Sequence, residues 1–150
     1  MTGLDTNILL RYLLNDDEHQ HMLVTNFVDN LSAKGRGYVS LVALAEVAWT
    51  LKGREDVNRQ SLIGYLKRLT SIRHVQFQER DAVWEAIKRF NSSNIDFPDH
   101  LIERTGHFDG CETTVTFDRK ASRTSGFRVL SVDTVAAFRA RMLALMSVES

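Results

Sequence analysis

The 150-residue chain contains a single cysteine, Cys111, and a single proline, Pro98. One cysteine cannot close an internal disulfide, and no cluster of Cys and His has zinc spacing. A stapled scaffold is therefore excluded, and a reducing, cytoplasmic setting is expected. An excess of charge of one sign is also missing. The 19 Lys and Arg balance the 19 Asp and Glu, for a formal net charge of zero. This excludes a protein held on nucleic acid by bulk charge, and equally an acidic disordered tail. No run approaches the ~18 consecutive apolar residues of a membrane span, and Met1-Thr2-Gly3-Leu4-Asp5 lacks the basic start and apolar run of a secretory leader. Repeats, low-complexity stretches and Pro/Gly/Ser linkers are absent, so one domain over residues 1–150 is expected. What is present is 43% hydrophobic and 25% charged residues, enough for an ordinary core at this length.

The apolar spacing predicts alternating short strands and helices. Gly3 to Asp5 form a brief extended start, and Thr6 is read as the cap of a helix through Ile8, Leu9, Tyr12 and Leu13. Asp16 and Asp17 cap a second helix carrying Met22, Val24, Phe27, Val28 and Leu31, which stops near Lys34-Gly35. Tyr38-Val39 reads as a strand, and Ser40 begins an apolar helix expected to lie deep in the fold. Asn58 caps a helix through Leu69, His74 to Phe77 is a strand, and Asp81 to Phe90 is helical. Asp96 is read as the cap of a helix that tolerates Pro98 in its first turn and ends near Gly110. Thr113 to Phe117 reads as a buried parallel strand, Arg128 to Ser131 as a last strand, and a helix follows over about 133–147. The pattern implies an α/β fold, with a short, mostly parallel sheet flanked by helices on both faces.

Four acids acquire meaning from their places on this map. Asp5 ends the first strand, Glu46 sits inside an apolar helix, Asp99 lies in a first turn, and Asp118 follows a strand. In open parallel sheets the functional crevice lies beyond the carboxyl ends of the strands. Three of these acids point to that rim, and Glu46 reaches it if its helix leans over. Helix capping accounts equally for Asp5, dipole complementation for Asp99 and a turn for Asp118. Glu46 is harder to explain that way, because a carboxylate between Ala45 and Val47 is costly to desolvate and its own helix offers no cation within a turn. Clustered carboxylates suit an oxygen-preferring cation, Mg²⁺ or Mn²⁺. Such a cation supports in-line hydrolysis of a phosphodiester.

Four segments carry a family resemblance: Leu4-Asp5-Thr6-Asn7-Ile8-Leu9; Ser40 with Leu44-Ala45-Glu46-Val47 and Trp49; Asp96-Phe97-Pro98-Asp99-His100-Leu101-Ile102; and Thr116-Phe117-Asp118-Arg119-Lys120-Ala121. In this order and separation they resemble the PIN-domain ribonucleases, specifically the VapC-type toxins of toxin–antitoxin pairs, over about residues 2–131. The resemblance implies a three-layer PIN-like fold. It implies that Asp5, Glu46 and Asp99 hold Mg²⁺ or Mn²⁺, with Asp118 as a more variable fourth acid. Thr6 and Asn7 match residues that orient the carboxylates, and Thr116 matches a hydroxyl beside the fourth acid. His100, where relatives carry a small residue, departs from the pattern and is expected at the surface or behind the ligands.

The resemblance further implies endoribonuclease activity on single-stranded or loop sites of tRNA or rRNA, a homodimer, and inhibition by a small cognate antitoxin. Operator DNA would be bound only through that antitoxin, and no membrane is involved. A phosphate-holding surface is expected where Arg119, Lys120 and Arg123 follow Asp118, with Arg11 across the rim. The apolar stripe Val135, Phe138, Met142, Leu145 and Met146 is expected to pack on the chain's own core or at a dimer contact. Two other classes are weighed. An aspartyl phosphotransfer enzyme needs a second acid two residues after Asp5, where Asn7 stands. A catalytically silent PIN-like module that binds RNA or protein normally lacks one or more of the acids.

Overall fold

In the computed structural model, which describes residues 1–149, the chain runs β1 (Thr2–Gly3), α1 (Thr6–Leu13), α2 (Glu18–Asp29), β2 (Gly37–Val39), α3 (Leu41–Lys52), α4 (Arg59–Thr70), β3 (Val75–Phe77), α5 (Arg80–Asn91), α6 (Phe97–Phe108), β4 (Thr114–Thr116), α7 (Arg119–Ser122), β5 (Phe127–Val129) and α8 (Val132–Glu149). By internal packing it divides into two compact units, Met1–Thr105 and the segment from Gly106 onward. No helix among the described residues is long and apolar enough to cross a membrane.

The first unit is organised on a three-stranded sheet in the order β1-β2-β3, with both pairs parallel. Parallel neighbours require crossovers, and helices supply them: α1 and α2 between β1 and β2, α3 and α4 between β2 and β3. The central strand opens with Gly37 because its neighbours close on it. A side-chain carbon there would lie 3.2 Å from the Cδ1 methyls of both Leu31 and Leu4, so a larger residue would require those side chains to give by a few tenths of an ångström.

Each helix start has a local cause. Asp5, Asp17, Ser40 and Asn58 cap α1 to α4 through side-chain oxygens, and Asn58 and Ser61 complete a reciprocal capping box. Buried Leu9, Leu10 and Leu13 of α1 meet Leu44, Val47, Ala48 and Leu51 of α3, with Leu62, Leu66 and Leu69 of α4 in the same cluster. Not every predicted apolar stripe is used this way. Only Val24 of α2 is buried, while Met22, Leu23 and Phe27 are exposed, and the helix ends at Asp29 rather than near Lys34.

The α5–α6 pair carries a polar cluster inside the apolar unit. Arg104 of α6 is buried and grips the equally buried Glu103 with two guanidinium nitrogens, at 2.5 and 2.6 Å, while a third donates to Glu85 of α5 at 2.6 Å. Hydrogen bonding to Glu103 is the leading cause that raises the Arg104 pKa. One turn back, His100 is fully buried instead of lying at the surface. Its Nε2 is 2.6 Å from Ser93 Oγ, and its Nδ1 is buried without a hydrogen-bond partner. Burial first, and then the positive charges of Arg59 and Arg89, push its pKa down to about 4. Arg59 ties down the chain leading into α6. Its Nη2 donates to the Phe90 and Ile95 carbonyls at 2.6 and 3.0 Å, and its guanidinium stacks 4.0 Å from the Phe90 ring centre.

The second unit contains the parallel pair β4-β5, with α7 between the strands in sequence, followed by α8. The strands are parallel as predicted but not buried, since Val115 is exposed and Thr114 and Thr116 are half-buried. The expectation that the α8 stripe packs into a core also fails. None of its residues is buried, and Val135, Phe138, Leu145 and Met146 are exposed. Arg141 on α8 pairs with Glu112 at 2.7 and 2.8 Å.

Candidate functional site

Asp5 occupies the short turn that leaves β1 and enters α1. Its Oδ1 accepts from the backbone N–H groups of Asn7 and Ile8 at 2.8 and 3.3 Å, so it is the cap of α1. Capping and a ligand role do not compete here. Both bonds fall on one oxygen, and the second carboxylate oxygen takes no part in the cap. Asn7 contributes its backbone to this arrangement, with no side-chain bond to the acid.

Glu46 faces the same place from α3. The expectation that it is desolvated inside an apolar helix is wrong. Ala43, Leu44, Val47 and Ala48 are buried around it in sequence, yet Glu46 itself points to the exposed face. The reason is the helical period: residues one position either side of Glu46 turn by roughly 100° away from it, so an apolar helix keeps one solvent-facing row. What holds Glu46 is the hydroxyl of Thr6, which donates to Oε2 at 2.5 Å across 40 residues of sequence. Gly3, Asp5, Thr6, Tyr38, Ser40 and Glu46 line one cleft of about 320 Å³ beyond the carboxyl ends of β1 and β2, where a parallel sheet places its functional crevice.

A second hollow reaches Asp5 from its other side, lined also by Asn7, Arg11 and Gln20. Arg11 is positioned rather than free. Its Nε donates to Gln20 at 2.6 Å and its Nη1 to Asp16 at 2.7 Å. A further cavity of about 340 Å³ joins Glu46 to Trp49, Thr50 and Pro98. Pro98 precedes Asp99, which is half-buried in the first turn of α6. Asp96, expected as the cap of α6, precedes the helix, with its carbonyl accepting from the His100 N–H at 3.3 Å, and its carboxylate accepts from Lys52 Nζ at 2.6 Å.

Asp118 belongs to the second unit and repeats the Asp5 arrangement. It caps α7 through Oδ1, accepting from Lys120 and Ala121 at 2.8 and 3.3 Å. Thr116 accepts the Asp118 N–H on its hydroxyl at 3.0 Å. Arg119, Lys120 and Arg123 are all exposed on and just after α7.

The donor set of the first-unit cleft, the carboxylates of Asp5 and Glu46 and the hydroxyls of Thr6, Tyr38 and Ser40, is hard-oxygen chemistry. Among the described residues no group of three or more His, Cys, Asp or Glu side chains is gathered closely enough to hold a metal ion. Asp5 and Glu46 are brought to one cleft of the first unit. Two carboxylates still fit Mg²⁺, which retains several waters and commonly takes only one or two protein carboxylates. They do not fit zinc, which prefers nitrogen and sulfur.

Sequence reasoning missed Trp49 as a site residue, although it is 66% exposed beside Glu46. Its signal was present as the i, i+3 spacing from Glu46. The buried trio His100, Glu103 and Arg104 gave no such signal, since nothing in its spacing separates it from an exposed charged face. The family model described as PIN domain matches residues 4–127, most of the chain. No curated protein matches it.

Proposed function

The chain belongs to the PIN-domain family, and on that premise we propose that it is a Mg²⁺- or Mn²⁺-dependent endoribonuclease, the toxin of a toxin–antitoxin pair. Proteins of this family are generally nucleases that commonly use divalent metal ions. The observation that carries the finer reading is the cleft in which Asp5 and Glu46 meet beyond the parallel strands, with the Thr6 hydroxyl on Glu46.

In this reading Asp5 and Glu46 hold the cation, Asp99 of α6 is a third acid of the first unit, and Asp118 is the acid that the second unit carries. When bound, the cation neutralises the phosphodiester and acidifies a water molecule for in-line attack. The protein supplies orientation. Capping fixes the Asp5 carboxylate on the end of α1, and Thr6 removes the rotational freedom of Glu46. Thr116 fixes the backbone at Asp118, and Asn7 fixes Asp5 through its N–H. Arg11, held beside the Asp5 hollow, binds phosphate, and Arg119, Lys120 and Arg123 beside Asp118 are the phosphate contacts of the second unit. The substrate is a single-stranded or loop site in tRNA or rRNA, whose unpaired backbone can enter an acidic cleft.

A small cognate antitoxin is the inhibiting partner, operator DNA is contacted only through it, and the setting is cytoplasmic. Exposed Met22, Leu23 and Phe27 on α2 support a homodimer contact. A catalytically silent PIN-like module is the second reading, favoured by the absence of a three-acid group among the described residues. Purified protein incubated with total tRNA and rRNA separates them. Cleavage with Mg²⁺ or Mn²⁺ that is lost in EDTA and in Asp5→Ala supports the nuclease. Binding without cleavage under every metal tested supports the silent module.

A further inference from the structure

We infer that Trp49 is a stacking platform for an unpaired base of the RNA strand that crosses the Asp5–Glu46 cleft, making it a substrate-positioning residue of this site. The inference rests on the nuclease reading for the identity of the strand. It rests on this chain's own surface for the contact.

Three observations carry it. Val42, Glu46 and Trp49 lie at i, i+4 and i+7 on the exposed face of α3, with Val42 69% and Trp49 66% exposed. An acid is therefore flanked along one helix face by an apolar side chain a turn before it and an indole a turn after it. The row spans about 10 Å at 1.5 Å per residue. Second, the ground is continuous. Val42 lines the cleft that holds Asp5, and Trp49 shares the neighbouring cavity with Glu46, Thr50 and Pro98. Third, the rim of the indole is charged: Lys52 Nζ lies 5.7 Å from its ring centre while paired with Asp96.

These features favour a nucleic-acid strand over a protein partner. A protein-docking patch presents contiguous apolar area with charge excluded from its centre. Here the central group between the two apolar side chains is a carboxylate, and the aromatic ring is edged by an ammonium. A polyanion whose phosphate is drawn to the cation site at Glu46 places its neighbouring nucleotides over Val42 and Trp49. A flat indole then offers stacking to any base, because every base has a π-face. A base inside a duplex has both faces occupied, so the platform selects unpaired strands. Lys52 adds a cation beside the strand.

The test uses full-length protein carrying Asp5→Asn, which retains a good helix cap and stops cleavage, and Trp84→Phe, which leaves Trp49 as the sole tryptophan. It is titrated with a mixed-sequence 12-mer RNA, single-stranded or annealed to its complement, in Mg²⁺. Binding is read by anisotropy of labelled RNA and by tryptophan fluorescence. The single strand should quench Trp49 and the duplex should not. Trp49→Ala should raise Kd by about 5- to 150-fold, the equivalent of the 1–3 kcal/mol of one base–aromatic stack, and Trp49→Phe should restore much of it. Saturated anisotropy without quenching, an unchanged Kd in Trp49→Ala, or no RNA binding each overturns the inference. The nuclease reading is judged separately by cleavage with wild-type protein. Quenching without any cleavage keeps Trp49 as an RNA contact and removes the nuclease. Cleavage unaffected by Trp49→Ala does the reverse.

Discussion

The hydroxyl of Thr6 donates to Oε2 of Glu46 at 2.5 Å, linking the first residue of α1 to the middle of α3. This bond connects the two elements that bring carboxylates to the cleft. It also restrains the rotamer of a long, exposed acid.

Removing it should therefore affect chemistry more than folding. Thr6→Val keeps the shape of the side chain and should lower RNA cleavage about 10- to 100-fold, the usual effect of losing a partner behind a metal-ligating group. Thr6→Ser should retain most activity. Initial cleavage rates together with urea midpoints check this, and an active Thr6→Val would show that Glu46 needs no such support.

Asp5 serves the helix and the cleft at once, and two substitutions separate these duties. Asp5→Ala should cost about 1 kcal/mol of stability through loss of the cap and should abolish cleavage. Asp5→Asn should keep the stability and still abolish cleavage. Equal stability loss in both variants, measured by urea unfolding, would mean that the cap is not what Asp5 contributes to folding.

Arg104 is the centre of the buried cluster between α5 and α6. Truncating it to Ala removes the bidentate partner of buried Glu103, which keeps Arg89 at 3.6 Å, and such losses cost up to about 3–5 kcal/mol. Arg104→Ala combined with Glu103→Ala should recover part of that loss, because the buried carboxylate is gone. A double-mutant cycle in chemical denaturation reads the coupling.

His100 predicts an acid-side loss of stability. Its folded pKa, about 4, lies below the ordinary 6.5, so the unfolded chain takes up the proton first as pH falls. Stability from His100 is full above about pH 6.5, declines between 6.5 and 4, and is constant below that. A shift of this size corresponds to about 3 kcal/mol across the window. Unfolding in urea with EDTA at pH 7 and pH 4.5 should show wild type losing more than His100→Gln. Equal losses would place the acid sensitivity elsewhere.

Much of the fold is legible in the residues themselves. Asp17, Ser40 and Asn58 are caps because short polar oxygens satisfy the free N–H groups of a first turn, and Leu62, Ile63, Leu66 and Leu69 announce α4 by their period. Parallel strands followed from the helices between them. Asp5 was legible both as a cap and as a candidate ligand, and it is placed to be both. Burial was less legible, since an apolar period does not say what covers it. The stripes of α2 and α8 read as core and are largely exposed.

The sequence by itself determined which residue types are available: an oxygen-only set of acids and hydroxyls, capped helices, and no cysteine or histidine cluster. Tertiary structure alone decided that Glu46 faces outward to meet Thr6, that His100 is sealed behind Ser93, and that Asp96 belongs to Lys52. The physical reason is range. Caps and periods are set within a few residues, whereas these pairings join residues 7 to 44 positions apart and depend on which face each packed helix turns to its neighbours.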